Sequence, residues 1–78
     1  MTWKRLKLVS KSRDSVIPID RVYDVMCDGS LSHRPAILSD VENGLQYLTS
    51  APVTVKNDGD MTLIQTRNTL YTFEEATE

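Results

Sequence analysis

The chain has 78 residues, a formal charge of −2 and a single cysteine, Cys27. That length allows one domain with a thin core, and a lone cysteine excludes an internal disulfide as its staple. Cys27 and His33 are the only soft or imidazole ligands, too few for a zinc site, so self-association into a homo-oligomer is the remaining route to extra burial.

Thr2–Ser10 alternates, with Leu6 and Leu8 on one face and Trp3, Arg5, Lys7 and Val9 on the other, the pattern of a half-buried strand. Residues 1–13 hold five cations (Lys4, Arg5, Lys7, Lys11, Arg13) and no acid, whereas residues 14–78 carry four cations against eleven acids. The simplest account is a basic edge strand whose charges discourage pairing with other chains. The functional account is a patch that steers phosphate or an acidic partner. No apolar run follows these cations, as an export signal would need, and no stretch has the length of a membrane span. The expected setting is a cytoplasm, that of the host cell if the protein is viral, with no membrane partner.

Ser12–Ser15 is a polar turn, and Pro18 confines Val16–Ile19 to an edge, a bulge or a loop. Asp20–Asp28 reads as a strand from its valines and Tyr23, with one short helix near 19–27 as the alternative. Residues 29–35 form a loop. Ala36–Val41 and Leu45–Ser50 flank Asn43-Gly44, which predicts a type I′ hairpin; a short helix capped by Ser39 and Glu42 is the competing reading. Ala51-Pro52 marks a bend. Val53–Lys56 and Met61–Thr66 alternate on either side of the turn residues 57–60. Arg67-Asn68 makes the last reversal, and Thr69–Phe73 places Thr69, Tyr71 and Phe73 on one face. The acidic residues 74–78 read as a frayed tail. The sum is an all-β single domain, a small meander of six or seven short strands that forms a compact barrel or a two-layer sandwich.

Catalytic equipment is sparse. His33 sits in a loop without a paired base, and Cys27 lies in an apolar strand without a nucleophile signature. Asp20, Asp24 and Asp28 recur every four residues, which reads as a solvated face rather than a cation site. Residues 57–60 lack the further ligands of a calcium loop, and no phosphate loop or dinucleotide fingerprint occurs. The expectation is no enzyme, no cofactor and no metal. The binding candidates are Trp3, the aromatic expected to be exposed, with its neighbours Lys4, Arg5 and Lys7, then Arg34 and Arg67 as grips for a carboxylate or phosphate, and Asn68 beside Arg67. The plainer reading of Asn68 is that it tolerates a positive φ in the turn.

Thr49-Ser50, Pro52-Val53 and then Thr66-Arg67-Asn68-Thr69-Leu70-Tyr71-Thr72-Phe73 resemble the ending of many small phage-encoded or prophage-encoded proteins. Their last hairpin shows threonine, asparagine, threonine or serine, an aliphatic residue and tyrosine. The resemblance covers about a third of the chain and leaves out the basic first strand and Cys27. It implies a compact accessory protein that inhibits or sequesters a host or anti-phage defence component, either a protein or a nucleotide-type small molecule. A small β-barrel that binds nucleic acid and a structural part of a virion or tail are the alternative readings.

Overall fold

The structure, a computed structural model, describes residues 2–27 and 31–76. Its strands are β1 (Thr2–Lys11), β2 (Arg21–Cys27), β3 (Leu31–Ser32), β4 (Ile37–Asp40), β5 (Gln46–Leu48), β6 (Val53–Asp58), β7 (Met61–Gln65) and β8 (Leu70–Glu75). The all-β class follows the alternation of the sequence, and there is no helix among the described residues. Seven strands of three residues or more are joined by the two-residue β3. The stretch before Asp28 is strand, as its β-branched residues predict.

Every pairing is antiparallel, in one sheet of order β3-β6-β7-β8-β1-β2-β4-β5. The order departs from a plain meander, because β1 lies between β8 and β2. The basic strand is therefore central, not an edge. Strands β3 and β5 end the ladder without pairing to each other, so the sheet is open and the expected barrel does not close. Eight flat strands would span about 34 Å at the usual strand spacing. The Cα extents are only 28 × 26 × 24 Å, so the sheet curls over its apolar face.

That concave face holds Leu6 and Leu8 of β1, Tyr23 and Val25 of β2, Leu38 of β4, Val53 of β6, Ile64 of β7 and Tyr71 and Phe73 of β8, all buried. Tyr71 and Phe73 point inward together, as their spacing predicts. The 12–20 connection adds Ile17, also buried. It is tied down by Lys11 Nζ, which donates to the carbonyls of Ser15 (2.7 Å) and Ile17 (2.8 Å), and by Tyr23 Oη, which donates to Pro18 O at 2.6 Å. Asp20 ends this connection at φ 63°, a left-handed conformation that aspartate accepts more readily than most residues.

Three turns refine the sequence reading. The β4–β5 hairpin forms, but not as type I′. Residues 41–43 turn, Gly44 alone takes positive φ (78°), and its N–H donates to Asp40 O at 2.9 Å. Between β6 and β7, Asp58 pairs with Met61 and Gly59 has φ 63°, the first central position of a type II′ turn. Asn68 lacks the expected positive φ. The final reversal is held instead by buried Thr66, whose Oγ1 donates to Thr69 O (2.9 Å) and accepts from Thr69 N (3.2 Å). Ala51-Pro52, the expected bend, is a cis peptide. The acidic end is not frayed from residue 74: β8 continues through Glu75, because Glu74 and Glu75 stand opposite Lys7 and Leu6 of β1.

Candidate functional site

Strand alternation gives the sheet a second, convex face, and the register fixes which residues share a row there. Trp3 stands opposite Met26, Met26 opposite Ile37, and Ile37 opposite Leu48. One apolar row thus crosses β1, β2, β4 and β5, about 14 Å from end to end at the usual strand spacing. Its two ends are open to solvent, Trp3 at 51% and Leu48 at 66% of full exposure, while Met26 and Ile37 are half-buried between them.

The neighbouring row on this face is polar and internally satisfied. Arg5 forks onto Asp24, Nε to Oδ1 at 2.9 Å and Nη2 to Oδ2 at 3.2 Å, and Gln46 Nε2 donates to Ser39 Oγ at 3.4 Å. The guanidinium of Arg5 holds the Asp24 carboxyl below the usual carboxylate range. Lys4 reaches Glu75 at 3.4 Å, and Lys7 stands opposite Glu74 in the β1–β8 register. On this face the apolar row is therefore rimmed by Arg5, Asp24, Lys7 and Glu74, charges of both signs, while the Lys4–Glu75 pair lies on the other face. Together these acids of β2 and β8 offset the excess of cations in the first strand.

A cleft of about 400 Å³ lies along the outer end of β2, lined by Arg5, Asp20, Arg21, Val22, Asp40, Val41 and Glu42. Asp40 is its buried anchor. Its carboxylate accepts from Arg21 Nε (2.5 Å) and Nη2 (3.3 Å) and from the N–H of Glu42 (2.8 Å), while Arg21 Nη2 also donates to Glu42 Oε1 at 2.9 Å. The Arg21 bonds outweigh burial and keep the Asp40 carboxyl below its ordinary range; the same bonds raise Arg21. Sequence reasoning missed Asp40. Its signal was an aspartate just before the Asn-Gly turn, where a side-chain oxygen caps the following N–H groups. Arg21, Asp40 and Glu42 answer one another, so this end of the cleft stabilises the β4–β5 turn.

The sequence candidates lie on different elements. Trp3, Lys4, Arg5 and Lys7 share β1, with Lys4 on the opposite face from the other three by strand alternation. Arg34 is exposed in the connection before β4, and Arg67 is exposed in the β7–β8 turn. Asn68 lines a different cleft of about 370 Å³, with Arg13, Asp14, Val16 and Leu48 among its walls. His33 is exposed in the same connection as Arg34. Asp24 lies on the convex face and Asp20 in the connection before it; Asp28, the third member of that series, lies outside the described residues. Among the described residues no three His, Cys, Asp or Glu side chains gather as metal ligands, and no helix is long and apolar enough to cross a membrane. No known protein family, curated protein or solved structure matches this chain.

Proposed function

We propose that the chain is a non-enzymatic binding protein that docks on a protein partner through the Trp3–Met26–Ile37–Leu48 row and blocks or sequesters it. The row is the observation that carries this reading. A half-exposed tryptophan and an exposed leucine at the ends of an apolar strip, with a polar charge-balanced rim, match the anatomy of a protein-docking surface. Tryptophan is also among the residues that most often dominate binding energy. The partner class is a host or antiviral defence component, as the phage-like last hairpin implies.

The ion pairs of Lys4 and Arg5 weigh against a nucleic-acid surface, and the fact that neither of the two clefts is lined by Arg34 or Arg67 weighs against a nucleotide pocket built on them. The test is affinity capture from host lysate, followed by titration of the captured protein. Trp3→Ala combined with Leu48→Asp should abolish capture while far-UV circular dichroism stays that of a β protein. Arg67→Ala should leave capture intact. Unchanged capture by the double variant would remove the row from the reading.

A further inference from the structure

The row ends at an unpaired strand edge. Among the described residues, strand β5 has β4 on one side and no strand on the other. In the β4–β5 ladder Asp40 N donates to Leu45 O (2.8 Å) and Thr49 N to Ala36 O (3.1 Å). Antiparallel ladders alternate, so the backbone groups of Leu45, Tyr47 and Thr49 face β4, and those of Gln46 and Leu48 face outward. Natural edges are normally guarded by lysine, proline or an inward charge. Residues 45–51 (Leu-Gln-Tyr-Leu-Thr-Ser-Ala) contain no charge and no proline. Leu45 and Leu48 are both more than half exposed along this edge.

We infer that β5 pairs antiparallel with β5 of a second copy of this chain, about a two-fold axis at Leu48. The occupant has to offer a strand edge with no charge of its own, and an identical β5 does so, while Arg13 and Asp14, which share the cleft beside Leu48–Ser50, carry opposite signs. A self-pair at Leu48 uses the outward N–H and C=O of that residue in both copies, and it sets Gln46 opposite Ser50 of the second copy. It also joins the two apolar rows end to end, turning four residues into a continuous strip of eight across both sheets. Shifting the axis to Tyr47 would set Leu48 against Gln46 and interrupt the strip, so the apolar pattern selects the register. The pairing does not require the docking role proposed above; it states what the edge itself recognises.

Light scattering on a size-exclusion column and sedimentation velocity test it on the intact chain. The expected mass rises with concentration from 8.8 kDa toward twice that value. Leu48→Lys should hold the chain at monomer mass, whereas Trp3→Ala, at the far end of the row, should leave the dimer intact while losing the lysate partner. Paired residues at a hydrogen-bonded site have Cα atoms about 5.5 Å apart, within disulfide reach. Leu48→Cys should therefore give a covalent dimer on a non-reducing gel beyond any that the wild type forms through Cys27. A wild type that stays monomeric up to about 1 mM, enough to populate any dimer with a comparable or tighter dissociation constant, overturns the inference. So does a dimer that Leu48→Lys leaves unchanged, or one lost on Trp3→Ala alone.

Discussion

Arg5 and Asp24 face each other across the β1–β2 ladder and are joined through both carboxylate oxygens. This bond changes the meaning of the basic first strand. Its cations run beside acids of β2 and β8, so the strand presents a mixed surface in place of a positive one. Binding to duplex or single-stranded DNA should be undetectable by fluorescence anisotropy near physiological salt. Asp24→Asn should create only a weak affinity, steeply lost as salt rises. The pair is solvent-exposed, so Arg5→Ala should cost no more than about 1 kcal/mol in urea unfolding.

Asp40 lies on the other face of the sheet, opposite Tyr23 and buried at the β4–β5 turn. Its carboxyl is held low in the fold, chiefly by Arg21 and further by the N–H groups of Glu42 and Asn43. As pH falls below about 4, where an unfolded aspartate gains its proton, the unfolded chain binds more protons than the native one and stability drops. The stabilisation is therefore present above that range and lost through the acid limb. Asp40→Asn should flatten that limb in urea titrations between pH 2 and pH 5 and lower stability at pH 7 by about 1–3 kcal/mol, since it removes the buried charge and turns one of the two acceptor oxygens into an NH2 donor facing Arg21 or the turn N–H groups. Asp24→Asn should flatten the limb less, because its pair is exposed.

Residues whose alternation is regular were legible from the sequence. The inward set of Leu6, Leu8, Tyr71 and Phe73, the hairpin around Gly44 and the bend at Pro52 all follow from local pattern and turn chemistry. The position of β1 did not. Which strands flank it depends on long-range register, and its lysines and arginines look like edge guards until Asp24 and Glu75 are placed beside them. The docking row was hidden for the same reason. Trp3 stood out alone as an exposed aromatic, but Met26, Ile37 and Leu48 join it only through three separate strand pairings. Arg34 and Arg67 drew attention as donors in turns, and turns carry no information about which of them meet.

Tyr23 links the sheet to the 12–20 connection. Its ring is buried against Tyr47, centroids 6.1 Å apart at an edge-to-face angle of 83°, and its hydroxyl donates to Pro18 O. Burial pushes its hydroxyl pKa up to about 12. A raised tyrosine leaves its stabilisation intact below about pH 10, the unfolded value, and loses it as pH climbs toward 12. Tyr23→Phe should flatten the alkaline limb of stability and cost about 1 kcal/mol at pH 7 through the orphaned Pro18 carbonyl. Hydrogen exchange should quicken at Ile17 and Asp20, whose connection loses that tether. Unchanged exchange there would mean that the remaining tethers, the Lys11 bonds and Asp20 N to Leu8 O, suffice to anchor the loop.

The last reversal separates structure from display. Thr66 and Thr69 are buried and exchange three hydrogen bonds, N–H to carbonyl at 2.8 Å and the two through Thr66 Oγ1. Arg67 and Asn68 between them are exposed. Thr66→Val keeps the volume but leaves Thr69 N without its acceptor, so it should lower stability by about 1–3 kcal/mol in urea. Arg67→Ala and Asn68→Gly should stay within about 0.5 kcal/mol of wild type. Equal losses from all three would place the stability of the turn in its exposed pair and not in its threonines. That outcome would also restore Arg67 and Asn68 as residues shaped by packing, whereas the threonine bonds assign the packing role to Thr66 and Thr69.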